Sequence, residues 1–265
     1  MGKSAYRRMG HRARIAYIGA GNVAWSLAPA LDAVADVKQV CSPTLEHAKA
    51  LARRLKNCRP VNSLSAISPD ADFCIISVKD DAVADVAKAM PKMKGIVAHT
   101  SGSVPAHALA GASEQFGVFY PLQTFSKADA VDVSRVPFFI EGNSAGAFQG
   151  LSSLARQISA RVYEADSTKR ATLHLAAVFA CNFANNLWGI SADILAKDGY
   201  GLDVLKPLLE ATLAKAMRMH PYQAQTGPAA RGDKRVMEKH RSLLSGLDLS
   251  IYETLSQSIA NHISK

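Results

Sequence analysis

A short apolar stretch followed directly by a glycine turn constrains the fold of this chain more than any other feature. Residues 15–18 are β-rich and apolar, and Gly19-x-Gly21-x-x-Ala24 and an apolar pattern with helical spacing follow. Gly19 permits a sharp turn, Gly21 has no Cβ to block a diphosphate, and Ala24 lets the helix pack close to the strand. The pattern predicts a βα unit whose helix N-terminus binds a dinucleotide. An ordinary βα turn is the alternative.

Strands and helices then alternate as far as residue 166, which implies right-handed βαβ crossovers and a mostly parallel sheet. Pro29 inside the first helix removes a hydrogen bond to the Trp25 carbonyl. Another helix is predicted to begin at Ser103 and Pro105. The other predicted helices span 43–55, 80–90 and 145–159. Strands are predicted at 15–18, 37–41, 72–78, 95–100, 117–120, 136–141 and 161–164.

No strand is predicted beyond residue 166. One long helix is expected over 167–198, ended by Gly199 and Gly201, and the other predicted helices span 203–219, 232–244 and 250–264. The predicted fold class is therefore α/β, with a Rossmann-type, mostly parallel sheet domain followed by an all-helical C-terminal domain. The expected division is a basic disordered leader (1–13), a dinucleotide-binding domain (14–166) and a helical substrate and dimerisation domain (167–265).

The net charge of +9 comes largely from the N-terminus, where Lys3, Arg7, Arg8, Arg12 and Arg14 supply five positive charges. No basic stripe with interleaved aromatic residues follows, so nucleic acid is not an expected partner. No apolar run approaches the length of a membrane span, and a cytoplasmic location is the default expectation. The four cysteines lack Cys-x-x-Cys spacing and the histidines lack His-x-x-x-His spacing, so no protein-ligated metal is expected.

The residues after the second predicted strand indicate which dinucleotide binds. An acidic residue there would hold a ribose 2′-hydroxyl and repel a 2′-phosphate. The sequence instead has the hydroxyls of Ser42 and Thr44, with His47, Arg53 and Arg54 nearby, which favours NADP. Asp36 is the competing candidate for NAD, but it lies at the other end of the strand.

Ligands of such folds bind outside the carboxyl ends of the strands, so the residues that follow the strands are the candidates for binding. His99 is a candidate proton donor, although a histidine at a strand end is as often a structural hydrogen-bonding residue. Tyr120, Gln123 and Thr124 are candidates for substrate binding. The predicted cofactor residues are Gly19, Ala20, Gly21, Asn22, Val23, Ser42, Thr44, Ser77, Val78, Lys79, Thr100, Ser101 and Gly102. For Lys79 a simply solvated side chain is the alternative.

The long helix is almost uncharged over 173–190, which predicts burial, and a homodimer through the helical domain would cover it. His174, Val178, Asn182 and Asn186 recur at spacings of four, so they would form one stripe that lines a pocket. Pairing of the amides with neighbouring helices is the alternative. Arg231 and Asp233 lie in a turn-rich segment, 225–233, that could reach a substrate.

The chain resembles a functionally uncharacterised family of NADP oxidoreductases that combine a Rossmann-like domain with a helical domain of unknown function. The resemblance rests on Ile18-Gly-Ala-Gly-Asn-Val-Ala-Trp25, His99-Thr-Ser-Gly102, Gly117-Val-Phe-Tyr-Pro-Leu-Gln-Thr-Phe-Ser126, Leu173-His-Leu-Ala-Ala-Val-Phe-Ala-Cys-Asn182 and Gln225-Thr-Gly-Pro-Ala-Ala-Arg-Gly-Asp233. More widely, the layout is similar to the 6-phosphogluconate, β-hydroxyacid and ketopantoate dehydrogenases and to pyrroline-5-carboxylate reductase. Those dehydrogenases typically place a catalytic Lys one turn before an Asn, where this chain has Val178 before Asn182. Lys79 stands where relatives often have Pro.

This resemblance implies an NADP(H)-dependent oxidoreductase that transfers hydride to or from a small carbonyl, hydroxy-acid or imine substrate in an interdomain cleft. A non-catalytic NADPH-binding regulatory or redox-sensing protein is the alternative. Without the Lys, His174 is the best proton donor on the stripe, and Asn182 would orient the substrate. A protonated imine accepts hydride and becomes a neutral amine without such a donor, so imine chemistry is also admissible.

Overall fold

The computed structural model describes residues 12–129 and 131–263. It divides into two compact units, one up to Phe179 and one from Ala180 onward. The division falls within the helical run that was expected to open the second domain. Each unit is described separately below.

The first unit is built on an eight-stranded sheet in the order β3-β2-β1-β4-β5-β6-β7-β8. All neighbouring strands are parallel except β6 and β7, which are antiparallel. The predicted Rossmann-type, mostly parallel sheet is therefore confirmed. The strands are β1 (Arg14–Ile18), β2 (Asp36–Cys41), β3 (Arg59–Val61), β4 (Phe73–Ile76), β5 (Ile96–His99), β6 (Phe116–Pro121), β7 (Phe138–Gly142) and β8 (Val162–Glu164).

Helices cover both faces of this sheet. Side chains alternate along β1, so Ile15 and Tyr17 enter one apolar cluster while Ala16 and Ile18 enter another. The first cluster is completed by helices α1 (Asn22–Val34), α2 (Leu45–Ala52) and α4 (Ala145–Ile158), and the second by α3 (Val83–Ala89). Both faces of the central strands are buried, which explains their continuous apolar sequences.

The first unit differs from the sequence predictions at one strand and one helix. The short strand β3 was not predicted, because it has three residues and contains Pro60, which carries no strand signal. The helix predicted after Ser103 is only a 3₁₀ turn at Ala106–Leu109.

The basic leader predicted over residues 1–13 lies outside the described residues up to position 11, but Arg12 is well fixed. Its guanidinium pairs with the Asp36 carboxylate at 3.0 Å and donates to the carbonyls of Asp32, Ala33 and Ala35. Arg12 therefore does not belong to a disordered tail, which corrects the leader boundary. Arg14 is likewise engaged, because it pairs with Asp72 at 3.3 Å.

Helix α1 contains Pro29, which cannot donate to the Trp25 carbonyl. The Arg54 guanidinium donates to that carbonyl instead, at 2.8 Å, and lies 4.7 Å from the centroid of the Trp25 ring. The side chain of Arg54 thus satisfies an acceptor that proline leaves without its helical donor. This role explains why Arg54 is not available near the end of β2, where it was expected.

The rest of the chain is helical, as predicted. The helices are α5 (Ser167–Ala177), α6 (Ala184–Ala196), α7 (Lys206–Arg218), α8 (Pro221–Ala224), α9 (Pro228–Arg231), α10 (Lys234–Ser242) and α11 (Gly246–Ile263). The predicted 167–198 helix is interrupted by a π-helical segment, Val178–Phe183, between α5 and α6. Helices α8 and α9 were not predicted; α9 forms within the expected loop at 225–233.

Residues 173–190 were expected to be buried with a second copy as the cover, and none of them is buried in the single chain. Phe183 and Trp188 expose 50% and 41% of their surface, and Asn182 and Asn186 are exposed as well. Among residues 180–263, Ser256 alone is buried. The second unit therefore has almost no interior of its own. No helix in the described ranges is long and apolar enough to cross a membrane.

Candidate functional site

The glycine turn after β1 has the geometry that close approach of a ligand requires. Gly19 adopts a φ of 112°, and a Cβ there would collide with the carbonyl oxygen of Ser77. A Cβ at Gly21, by contrast, would meet no atom within 4 Å and would point into open space. Helix α1 begins at Asn22 with no acidic residue in its first turn. Its free N–H groups and positive dipole end are therefore available to an anion.

The ends of β4 and β5 form the floor beside this turn. Thr100 Oγ1 donates to Ser77 Oγ at 3.2 Å, and the Ser77 N–H donates to the carbonyl of Ile18 at 2.7 Å. Ser101 Oγ accepts the N–H groups of Ser103 and Val104 at 3.1 and 3.0 Å. These hydrogen bonds fix the ends of β1, β4 and β5 relative to one another.

His99 has a supporting position rather than a reactive one. It is fully buried, and its Nδ1 accepts the N–H of Ser101 at 3.2 Å. Burial and, to a smaller extent, the nearby charge of Arg170 lower the pKa of His99 to about 4. The imidazole is therefore neutral at neutral pH and does not reach the cavity described below. The geometry does not support His99 as a proton donor.

Tyr120 and His174 form a hydrogen-bonded pair at the end of β6. The Tyr120 hydroxyl lies 3.2 Å from His174 Nδ1, and the two rings meet edge to face with centroids 6.2 Å apart. Gly102 packs against both, since a Cβ there would lie 2.7 Å from Tyr120 Cζ and 2.8 Å from His174 Nδ1. Burial raises the pKa of Tyr120, and the charge of Arg170 opposes that rise. The pair presents two groups able to exchange a proton.

Arg170 holds the helix that carries His174. It is fully buried, pairs with the Glu141 carboxylate and donates to the Val104 carbonyl. Ser167 Oγ donates to the same carboxylate at 2.9 Å. A buried arginine pair of this kind fixes geometry, because losing either partner would leave a charge without compensation. His174 lies one helical turn after Arg170 on α5, so this pair sets its position against Tyr120.

A single cavity of about 930 Å³ joins the glycine turn to the Tyr120–His174 pair. It follows the carboxyl ends of six adjacent strands, from Asn62 after β3 to Tyr120 in β6. Asp80 is the one acidic residue among its described lining residues, and its carboxylate accepts the Ser103 hydroxyl. The volume is at the upper end of the range for small-molecule sites. The cavity therefore has room for a dinucleotide and a second small molecule.

Most residues predicted from the sequence meet in this cavity. Its lining includes Gly19, Ala20, Gly21, Asn22, Val23, Ser42, Ser77, Val78, Lys79, Thr100, Ser101, Gly102, Tyr120, Gln123 and His174. Thr44 and Thr124 are exposed and do not line it. Four other predicted residues lie in the second unit and do not line it either. Asn182 belongs to the π-helical segment, Asn186 to α6, Arg231 ends α9, and Asp233 accepts the Val236 N–H as the cap of α10.

The β2 end of the cavity lacks a carboxylate. Ser42, Pro43, His47 and Asn62 line it there. Asp36 lies at the opposite end of β2, where it pairs with Arg12 and Lys38. The pKa of Asp36 is lowered by its hydrogen bond to Lys38. Asp36 therefore cannot serve as the ribose-binding acid. This agrees with the sequence, which placed Asp36 at the other end of the strand.

Three residues at or beside the site were not identified from the sequence. Asn62 follows the unpredicted strand β3, and Lys127 directly follows the motif that runs from Gly117 to Ser126. In the sequence, Arg170 resembles a solvent-exposed residue of an ordinary helix. The one signal for a role at the site was its position one helical turn before His174. No group of three or more His, Cys, Asp or Glu side chains in the described ranges could hold a metal ion.

Comparison with known proteins identifies the family. Residues 14–102 match the family model described as "NADP oxidoreductase coenzyme F420-dependent", and residues 136–259 match a domain of unknown function. A Bacteroides fragilis protein described as a putative NADP oxidoreductase is 38% identical, with 94% of this chain and 98% of that chain covered and a TM-score of 0.86. The chain belongs to this family of NADP oxidoreductases.

Two other solved structures share the fold of this NADP oxidoreductase homologue at low identity. Protein TM1727 from Thermotoga maritima is 18% identical, with 95% of this chain and 100% of that chain covered and a TM-score of 0.75. A reductive aminase from Aspergillus terreus in complex with NADPH and ethyl-5-oxohexanoate is 12% identical, with 96% and 94% covered and a TM-score of 0.69. No curated protein matches the sequence.

Proposed function

We propose that this protein is an NADP(H)-dependent reductase or dehydrogenase that acts on a small carbonyl, hydroxy-acid or imine substrate. One observation carries the proposal: a single cavity contains both a glycine turn suited to a diphosphate and a Tyr120–His174 pair suited to proton transfer. A protein that only bound the cofactor would need the first feature and not the second.

The length of the cavity supports this assignment. Neighbouring strands lie about 4.8 Å apart, so the five spacings from β3 to β6 cover roughly 24 Å. The glycine turn follows β1 and sets the position of the diphosphate, which leaves β2 and β3 for the adenosine half. The nicotinamide half would then lie toward β4 and β5, and the substrate beside Tyr120, Gln123 and His174. A bound cofactor would supply or accept the hydride, while His174 would hold the proton at Nδ1 or receive it from Tyr120.

The substrate can be an imine as readily as a carbonyl. The position one turn before Asn182 carries Val178, so the lysine acid of similar dehydrogenases is missing. A carbonyl substrate needs a positioned acid, and His174 supplies it; a protonated imine does not. The reductive aminase shares only the fold, so the imine alternative rests on this chemical argument.

The assignment is tested by steady NADPH oxidation with small ketones and preformed imines, and by NADP⁺ reduction with hydroxy acids. The absence of turnover with every compound would favour the non-catalytic, NADPH-binding alternative.

NADPH is expected to bind at least about tenfold tighter than NADH, a difference of about 1.4 kcal/mol. The reason is that Ser42, His47 and Asn62 line the β2 end of the cavity without a carboxylate to repel the 2′-phosphate. Calorimetry with both cofactors measures the ratio. Ser42→Asp provides the matched variant, since its carboxylate should reverse the preference; equal affinities in the natural protein would contradict the choice of NADP.

We further propose a homodimer through the helical unit. In that unit Leu213 and Met217 of α7 expose 63% and 75% of their surface, and residues 180–263 bury Ser256 alone. A soluble helical unit needs to cover such side chains, and a second copy is the economical cover. Light scattering at micromolar concentration should give a dimer. Leu213→Glu should produce monomers, whereas Arg218→Glu, at an exposed position on another face of the same helix, should not. A monomeric natural protein would count against the proposal.

A further inference from the structure

Lys127 connects the cofactor cavity with a second cavity behind α1. It lies in the segment between β6 and β7 and lines the first cavity together with Gly19, Gly21 and Asn22. It also lines a cavity of about 730 Å³ along the outer side of α1. No other residue lines both cavities among the described residues. Its side chain can therefore reach toward either one.

The ammonium group of Lys127 lies over the ring of Trp25, a residue of α1 that lines the second cavity. Its Nζ is 5.2 Å from the centroid of the Trp25 ring. Trp25 belongs to the first turn of that helix, where its N–H donates to the Gly21 carbonyl at 3.2 Å. Lys127 thus brings a full positive charge to the helix end where the dipole is already positive. An anion bound at the glycine turn would face both.

The charge of Lys127 is not neutralised by a carboxylate in the described structure. Lys127 forms no ion pair among the described residues, and the guanidinium of Arg54 occupies the same aromatic ring at 4.7 Å. Asp129 and Asp132 line the second cavity, but Asp132 is engaged by the N–H and the hydroxyl of Ser134. Two cations at one ring repel each other, so an anionic ligand would stabilise this arrangement.

We propose that Lys127 binds the diphosphate of NADP(H) from the side opposite the glycine turn. This inference rests on the proposed cofactor and adds a residue that the glycine motif does not contain. The contact with Trp25 favours the diphosphate among the possible anions, because Trp25 belongs to the first turn of α1, where the diphosphate is expected. A carboxylate of the substrate is the competing ligand, and the experiment separates the two.

Calorimetry of NADP⁺ binding to the full chain tests the proposal. Lys127→Gln should weaken NADP⁺ binding about tenfold. This loss corresponds to the lower end of the range for a hydrogen bond to a charged group, as expected for an exposed side chain. Lys127→Arg should retain most of the affinity. Lys94→Gln is the matched control: it removes the same charge from an exposed lysine that pairs with Asp70, outside the cavity lining. Its affinity should equal that of the natural protein.

Two further measurements identify the group that Lys127 contacts. Adenosine 2′-monophosphate lacks a diphosphate, so its affinity should be the same in Lys127→Gln and in the natural protein. The difference between the two proteins for NADP⁺ should shrink at 1 M salt, where the screening length is about 3 Å. If Lys127 had only a structural role, the substitution would weaken both ligands, and the loss would not depend on salt.

The outcomes distinguish the possible failures. If the natural protein does not bind NADP⁺, the proposed function fails. If it binds and Lys127→Gln binds equally well, Lys127 is not a diphosphate ligand and the inference alone fails. The same conclusion follows if adenosine 2′-monophosphate loses affinity to the same extent as NADP⁺, or if only the KM for a substrate rises.

Discussion

Replacing His174 by Ala is expected to lower turnover by roughly 10²–10⁴-fold while leaving NADPH affinity nearly unchanged, because positioned acids contribute about that factor. The expectation follows from the 3.2 Å contact between His174 Nδ1 and the Tyr120 hydroxyl in the cavity that also contains the glycine turn. Gly102 reinforces it, since the absence of a side chain there leaves space for both rings.

A structural role for His174 would give a different result. Loss of packing would lower the melting temperature, whereas loss of a proton donor lowers the rate at unchanged stability. His107→Ala is the matched control, because His107 is an exposed histidine outside the cavity lining. An active His174→Ala protein with an intact fold would transfer the donor role to Tyr120 or show that the substrate needs no donor. His99 is fully buried and does not line the cavity, which disfavours it for that role.

Gly21→Val is expected to abolish NADPH binding, with a loss of at least about a hundredfold, or 2.7 kcal/mol. The built Cβ at this position meets no protein atom within 4 Å, so the fold accommodates the side chain. The same space is where a diphosphate approaches the first turn of α1. Binding should therefore be lost with only a small decrease in melting temperature, since Gly21 is the N-cap of α1, where valine is less favourable; calorimetry and thermal unfolding measure the two effects.

Gly19→Ala provides the informative contrast. Gly19 has a φ of 112°, and a Cβ there would collide with the Ser77 carbonyl, so this variant should lose stability as well as binding. If Gly21→Val instead bound NADPH normally, the diphosphate would not lie over this turn, and the cavity would need another ligand.

The parts of the fold that the sequence predicts depend on local patterns. Local sequence patterns predict the glycine turn, the central strands and the residues that follow them. In a parallel sheet these residues lie at the same edge, so their proximity could be predicted as well. The absence of a carboxylate at the β2 end of the cavity could be predicted similarly, because the Ser42 segment directly follows a strong strand. Three-residue strands such as β3 carry too little periodicity to be recognised, which is why Asn62 was missed.

The parts that could not be predicted depend on contacts between distant residues. Arg170 and Glu141 are 29 positions apart and form a buried pair, although each alone resembles a solvent-exposed charge. Arg54 was placed near a phosphate because of its position after β2, but Pro29 creates an acceptor that binds it elsewhere. The uncharged long helix was expected to be covered by a second copy, but the sequence does not show which residues of that copy would contact it.

The near absence of buried residues in the helical unit has a thermodynamic consequence. If a second copy covers its apolar side chains, most of the stabilising free energy of this unit comes from association, and mass action makes it depend on protein concentration. The sheet unit has an extensive buried core and needs no such contribution. Dilution should therefore lower the unfolding temperature of the helices first, and the cell would keep this unit folded only above a threshold abundance of the protein.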